Sequence, residues 1–217
     1  MSGLASSDST APTPGVPAFG LSFTDFLQVG FRFPMGTRLL VDACILLGYL
    51  NANDPWHPIM SWLFTSSILI PQAPRMFIVD RTQGEFGHVA SYVLARDLTR
   101  GTRKPTEAEI LACRKNALSR LEAIMGPYPL LGCFPGSESS MSEWRALYRD
   151  FPFGETDALL LATCMVYGLD LLTVDNDLVK LAQRHQTELT RRGYHFNLYY
   201  TPKAEAAIPG MAVAAST

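Results

Sequence analysis

Three short apolar segments that each end in an aspartate constrain the fold of this chain most strongly. They are "RLLVD", "MFIVD" and "LLTVD", and they end at Asp42, Asp80 and Asp175. Each segment has the length and the β-branched or aliphatic composition of a buried strand. Carboxylates at the ends of buried strands indicate a functional site rather than an ordinary surface.

Helix-like segments alternate with these strands. The helix candidates are "ACILLGYLNAN", "PWHPIMSWLFTSS", "GEFGHVASYVLARDL", "TEAEILACRKNALSRLEAIM", "SMSEWRALYRDF", "ETDALLLATCMVYG" and "DLVKLAQRH". Thr106 with Glu109 has the spacing of a capping box, and Gly168 suits the left-handed position just past a helix end. Alternation of this kind predicts an α/β fold with three layers, α/β/α, around a mostly parallel central sheet.

Three further segments have weaker signals. "SFTDFLQVGFRF" is interpreted as a short helix packed on the domain, and "YHFNLYY" as an edge strand. A short strand is expected at Leu130 and Leu131. The composition predicts one domain over residues 21–202, between flexible tails at 1–20 and 203–217 that are rich in small residues and proline.

Composition excludes several classes of protein. Hydrophobic residues make up 47% of the 217 residues and charged residues 18%, which favours a globular chain over a disordered one. The net charge of -2 gives no global basic signature for nucleic acid, so any such binding needs a local patch. The four cysteines are widely spaced without a CxxC pair, so free thiols in a cytoplasmic protein are expected. No apolar run approaches the roughly 18 residues of a membrane span, so no membrane association is expected.

Four acidic side chains are predicted to converge at one edge of the sheet. Asp42 and Asp175 follow strands, Asp157 lies in the first turn of an apolar helix, and Glu85 begins the helix after the second strand. Converging carboxylates repel each other, and a hard cation such as Mg²⁺ or Mn²⁺ relieves that repulsion. Acids with a metal and no Cys or His nucleophile favour metal-assisted hydrolysis of a phosphodiester.

The motifs "LLVDACILLGYL", "TQGEFGHV", "GETDALLLATC" and "LLTVDNDL" resemble, in order and setting, a PIN-domain ribonuclease, including the VapC-type toxins. The resemblance runs from about Arg38 to Tyr200. It implies an endoribonuclease whose metal-binding and catalytic acids are Asp42, Glu85, Asp157 and Asp175, with Asp177 as an auxiliary metal ligand. It also implies an RNA substrate and, for a toxin, an antitoxin protein partner; a homodimer is left open.

Simpler interpretations remain open for each acid. Asp42 and Asp177 could cap the helices that follow them, and Glu85 could be a solvated acid in a first helical turn. Asp80 is expected to end its strand and point to solvent. Two other functions also stand: a DxD phosphohydrolase, which Ala43 and Cys44 after Asp42 disfavour, and a PIN-like module that binds RNA or protein without cleaving.

A basic stretch runs from residue 96 to residue 120. It holds seven basic residues against three acidic ones. The basic residues are Arg96, Arg100, Arg103, Lys104, Arg114, Lys115 and Arg120. The stretch is interpreted either as a contact for the RNA backbone or as a solubilising face.

Overall fold

The computed structural model describes residues 20–28, 31–68, 74–125, 131–134 and 138–202, with the side chains of 125 and 131–134 outside the description. The strands are β1 (Ser22–Asp25), β2 (Arg38–Val41), β3 (Arg75–Val79), β4 (Leu131–Phe134), β5 (Asp170–Leu172) and β6 (Asn197–Tyr200). The helices are α1 (Ala43–Leu50), α2 (His57–Leu63), α3 (Asp80–Leu98), α4 (Glu107–Met125), α5 (Glu138–Asp150), α6 (Glu155–Tyr167), α7 (Asn176–Arg184) and α8 (Gln186–Arg191). A π-helical segment, Phe64–Ile68, continues α2.

The six strands form one sheet in the order β1-β6-β5-β2-β3-β4, and every pairing between them is parallel. β2 lies between β5 and β3, with Leu40 opposite Leu171 on one side and Phe77 on the other. The strands that lead to Asp42 and Asp175 are therefore neighbours, as predicted. Both aspartates lie at the same carboxyl edge because parallel strands end on the same side.

Alternating strand residues face two separate cores. Leu39 and Val41 of β2 pack in a core with α1–α4, whereas Leu40 between them packs in a core with α5–α8. A strand buried on both faces has no room for polar side chains, which explains the continuous apolar runs in the sequence. The arrangement confirms the predicted three-layer α/β/α fold.

The predictions for the two weaker segments at the chain's ends were wrong. "SFTDFLQVGFRF" does not begin with a helix, because Ser22–Asp25 form the edge strand β1. β1 pairs with β6 over four residues, so β6 is an internal strand and not the edge strand expected from "YHFNLYY". The two errors have one cause: a strand this short is defined by its distant partner, not by its own sequence pattern.

Local signals located most of the other elements. Thr106 and Glu109 form the predicted capping box, in which the Thr106 N–H donates to Glu109 Oε2 and the Glu109 N–H donates to Thr106 Oγ1. Gly168 ends α6 with a φ of 60°, the left-handed conformation that glycine adopts without strain. The predicted strand at Leu130 and Leu131 appears as β4, although Leu130 lies outside the described residues.

The predicted tails fall mostly outside the described residues, which begin at Gly20 and end at Pro202. Cys44, Cys113 and Cys164 are free thiols. Across the described ranges, no helix combines the length and apolar character needed to cross a bilayer.

Candidate active site

Asp42 lies in the loop between β2 and α1 with its side chain turned into the protein. The residue is only 9% exposed, and its carboxylate makes no hydrogen bond that would cap α1, although Asp42 occupies the N-cap position. Burial and the charge of Asp175 raise the pKa of Asp42, while hydrogen bonds from Cys44 and Thr173 oppose the shift. A plain capping role therefore does not account for Asp42.

Thr173 ties the ends of β2 and β5 together. Its hydroxyl donates to Asp42 Oδ2 at 2.6 Å and accepts from the Asp175 N–H at 3.0 Å. Thr173 is fully buried, so this hydroxyl has no water to exchange with. One buried side chain therefore fixes the orientation of Asp42 and the position of the backbone at Asp175.

Cys44 also supports Asp42, at the same carboxylate oxygen as Thr173. Its Sγ donates to Asp42 Oδ2 at 3.0 Å and accepts from the Val174 N–H at 3.4 Å. Burial and the neighbouring charge of Asp42 raise the pKa of the Cys44 thiol well above its ordinary value. The thiol therefore stays protonated and acts as a hydrogen-bond donor rather than as a nucleophile.

Asp175 is exposed and caps α7. Its Oδ1 accepts from the N–H groups of Asp177 and Leu178 at 2.8 and 3.1 Å. Both cap bonds use the same oxygen, so Oδ2 of Asp175 is not engaged in the cap. The carboxylate is held in place while one of its oxygens can still serve as a ligand.

Asp157 lies in the first turn of α6, as predicted, and its environment disfavours its charge. Burial, the largest cause, and the charges of Asp175, Asp42 and Glu85 together raise its pKa to about 6. A hydrogen bond from the backbone of Gly154 opposes these effects. Three other acids act on Asp157 at once, so the four predicted carboxylates share one electrostatic environment.

Glu85 lies in the second turn of α3, not at the start of the helix as predicted, because α3 begins at Asp80. The acid in the first turn is Asp80, which is exposed as expected. Glu85 is partly buried, and its Oε2 has no hydrogen-bond partner although that atom is inaccessible to solvent. A solvated first-turn acid does not describe this residue.

Asp177 stands apart from the other acids. Its side chain is 97% exposed and lies 3.7 Å from Lys180 Nζ. The expectation that Asp177 caps the last predicted helix was wrong, because α7 begins at Asn176 and Asp175 is its cap. Asp177 is also not among the charges that raise the pKa of Asp157.

The donor set of the four acids fits a hard divalent cation. All four offer carboxylate oxygens, which Mg²⁺ and Mn²⁺ prefer. A buried carboxylate oxygen without a partner at Glu85 and a carboxyl of raised pKa at Asp157 are both stabilised by a nearby positive charge. Within the described residues, no three His, Cys, Asp or Glu side chains are already placed closely enough to hold an ion without adjustment.

Some side chains of the basic stretch are bonded within the protein, and others can contact a ligand. Arg103 bonds Glu109 through both terminal nitrogens, and Arg120 donates to the Leu50 carbonyl oxygen. Arg114 lines a groove between α3 and α4, beside Asp80 and His88, and its buried Nε has no partner. Arg114 is therefore placed to meet a ligand that binds in this groove.

Cys44 and Thr173 are the functional candidates that sequence reasoning undervalued. The sequence identifies Cys44 as a free thiol, and it allows Thr173 to hydrogen-bond an acid, although a β-branched residue in a strand needs no function to explain it. The available signal was a polar residue inside an apolar run, two positions before an aspartate, in "LLTVD". That signal does not indicate which carboxylate the hydroxyl contacts.

No protein-family model matches the sequence, and no curated protein matches it. Solved structures that match include the toxin VapC20 of Mycobacterium tuberculosis, described as cleaving the sarcin–ricin loop, at 16% identity and a TM-score of 0.43 over 65% of this chain and 93% of that one. A toxin–antitoxin complex from Klebsiella pneumoniae matches at 18% identity and a TM-score of 0.40, over 63% and 86% of the two chains. VapBC2 of Rickettsia felis, bound to a promoter DNA fragment, matches at 9% identity and a TM-score of 0.44, over 75% and 98%. These matches include VapC proteins, the group that the sequence motifs resemble.

Proposed function

We propose that this chain is a metal-dependent endoribonuclease whose acidic site is formed by Asp42, Glu85, Asp157 and Asp175. The observation that carries the proposal is the raised pKa of Asp157, because the charges of the other three acids contribute to it together. Crowding of this kind destabilises a protein unless a ligand relieves it. The choice of RNA as substrate comes from the resemblance of the motifs to PIN-domain ribonucleases.

The four carboxylates would hold Mg²⁺ or Mn²⁺, which supplies polarisation of a phosphodiester and a more acidic water. Asp177 is not included, because its exposed side chain pairs with Lys180. The protein's own contribution is to orient the acids. Thr173 and Cys44 fix Asp42, and the cap of α7 fixes Asp175. Oriented groups lose little freedom when the substrate binds, which favours the reaction.

The resemblance extends the proposal to a toxin with a protein antitoxin. Expression of the chain alone should then arrest growth of its host, and expression of the Asp42→Asn variant should not. Equal growth with the wild type and with Asp42→Asn would contradict the toxin proposal but not the nuclease proposal.

A second function is supported by one observation. Because no three of the described acidic, histidine or cysteine side chains are ready to hold an ion, a PIN-like module that binds RNA or protein without cleaving it is the alternative. A nuclease would cleave RNA when a divalent cation is added, whereas the binding module would leave the RNA intact.

The experiment is cleavage of total RNA with Mg²⁺, with Mn²⁺ and with chelator, by the wild type, Asp42→Asn and Asp177→Asn. If the protein is a nuclease, the wild type should cleave RNA with at least one of the two ions and should not cleave it with chelator. Asp42→Asn should lose cleavage, and Asp177→Asn should retain it. Binding of RNA without cleavage under any condition would favour the module. Cleavage that survives in Asp42→Asn would contradict the proposed site.

A further inference from the structure

A pocket opens between the start of α3 and the helices α5 and α6. Its volume is about 240 Å³. Pockets for drug-sized ligands measure roughly 300–1,000 Å³, so this one suits a single ring system. The residues that matter here are Val79, Arg81, Met141, Trp144, Glu155 and Leu159. We call it the Trp144 pocket.

The Trp144 pocket lies at the same edge of the sheet as the acids. Val79 is the last residue of β3, and β3 pairs in parallel with β2, which leads to Asp42. Glu155 is two residues before Asp157 on α6. Asp80 lines both this pocket and the groove that contains Arg114, so the two depressions adjoin at the start of α3.

The indole of Trp144 is held in a fixed orientation. Its Nε1 donates to the Glu155 carbonyl oxygen at 3.0 Å. Its ring stacks on Tyr148 with centroids 5.9 Å apart and an interplanar angle of 14°. The polar atom of the ring is satisfied, so the rest of Trp144 presents an apolar aromatic surface, with Met141 and Leu159 beside it.

The rim of the pocket is charged. Arg81 Nη2 lies 3.0 Å from Glu155 Oε2, and both side chains are about half exposed. Exposed ion pairs of this kind contribute little to stability, so Arg81 can exchange Glu155 for a phosphate at small cost. An aromatic floor with a cation at the rim matches a nucleotide: base on the ring, phosphate on the guanidinium.

We infer that the Trp144 pocket binds the base of an unpaired nucleotide adjacent to the phosphodiester that is cleaved. The inference rests on the proposed ribonuclease function and adds a requirement to it. A base within a duplex has both faces covered by its neighbours, so only an unpaired base can stack on Trp144.

The test measures binding of a fluorescently labelled single-stranded oligoribonucleotide of mixed sequence, with single abasic positions placed along it in turn. The protein carries Asp42→Asn and the buffer contains Mg²⁺, so that the RNA stays intact. We expect one abasic position to weaken binding roughly tenfold, the effect of losing one base–aromatic stack. Trp144→Leu, which keeps apolar volume, should weaken binding of the intact RNA by a similar factor. In that variant, the abasic position should cause no further loss of affinity.

Two further variants keep the test decisive. Met141→Phe narrows the pocket without altering Trp144 and should weaken binding of the intact RNA, even if Trp144→Leu proves too unstable to measure. Tyr92→Leu removes an exposed aromatic side chain on α3, outside the pocket, and should leave the abasic profile unchanged.

Unchanged affinity and an unchanged abasic profile in both pocket variants would overturn the inference, and the pocket would then belong to another occupant, such as an apolar side chain of a protein partner. If the wild type still cleaves RNA in that case, the ribonuclease proposal stands without the pocket. If the protein neither binds nor cleaves RNA, both fail.

Discussion

The junctions that follow β2 and β5 both place an aspartate before a helix, but the two aspartate side chains make different contacts. Each brings an aspartate from a buried strand to the N-cap position of a helix, at Asp42 before α1 and at Asp175 before α7. Asp175 caps its helix and is exposed. Asp42 is buried, makes no cap bond and accepts from Thr173 and Cys44 instead.

The difference shows that position in a sequence motif does not fix a residue's role. An N-cap aspartate normally stabilises its helix by accepting from backbone N–H groups. At Asp42 the side chain makes no cap bond and accepts from Thr173 and Cys44, in a buried setting that disfavours its charge. A buried acid that is oriented but not used for capping indicates a functional constraint.

The largest expected effect comes from Asp157→Asn, which removes one of the crowded charges. Cleavage should fall by about 100-fold or more, the size expected when a preorganised electrostatic group is lost. Without metal, the variant should be more stable than the wild type at pH 7, because the wild type bears the cost of ionising a carboxyl whose folded pKa is about 6 instead of 3.8.

The sign of that stability difference can be checked with pH. A raised folded pKa means that the wild type is favoured at low pH and loses this contribution as pH rises through about 6. The advantage of Asp157→Asn should therefore shrink as pH falls from about 6 towards 3.8, in thermal melts without metal. A variant that is less stable at pH 7 and remains fully active would contradict the crowded site.

Thr173→Val breaks the link between the two junctions with little change in shape. It removes one hydrogen bond to Asp42, in a buried setting, and leaves the partly buried Asp175 N–H without its acceptor. The free energy of unfolding should fall by about 1–3 kcal/mol, the cost of buried groups left unsatisfied. Denaturant unfolding measures this change, and Thr173→Ser should restore most of it.

Thr163→Val is the matched control. Thr163 is also buried, but its hydroxyl donates to the Leu159 carbonyl within its own helix. Loss of such a local bond should cost less than loss of the Thr173 link. Equal costs at both positions would mean that Thr173 does not couple the junctions.

Asp175 should show the ordinary behaviour of a capping residue in addition to its place at the site. Asp175→Ala should lower the free energy of unfolding by about 1 kcal/mol, and Asp175→Asn by much less, because asparagine caps equally well. Both variants should lose cleavage, since both remove the charge. Full activity in Asp175→Asn would reduce Asp175 to a helix cap.

The smallest expected effect concerns the basic stretch. Replacing Arg114 and Lys115 with alanine should weaken RNA binding and lower the salt slope by roughly 1 for each lost phosphate contact. Arg103→Ala is the control, because Arg103 is already bonded to Glu109. Binding titrations at several salt concentrations measure the slope, and equal slopes in all variants would return the stretch to a solubilising role.

The sequence predicted those parts of the fold whose signals are local. β2, β5 and α6 carry continuous apolar runs, and the end of α6 is marked by Gly168. β1 could not be predicted in this way, because its backbone pairs with β6 near the other end of the chain. Pairing between distant segments leaves no periodic signal in either segment alone.

The same division holds for the candidate site. The strand ends located Asp42 and Asp175, and the helix start located Asp157. The assignment of the cap to Asp177 failed because the cap of α7 is Asp175, two residues earlier. The link through Thr173 was not predictable, since it depends on the spatial register of β2 against β5.

The most direct measurement is the shift in melting temperature that Mn²⁺ produces in the wild type and in five single variants. A ligand stabilises the folded state according to its concentration relative to its dissociation constant, so a lost ligand appears as a smaller shift. We expect reduced shifts in Asp42→Asn, Glu85→Gln, Asp157→Asn and Asp175→Asn, and a full shift in Asp177→Asn. A full shift in all of the first four, or an equal loss in Asp177→Asn, would contradict a single metal site formed by these four acids.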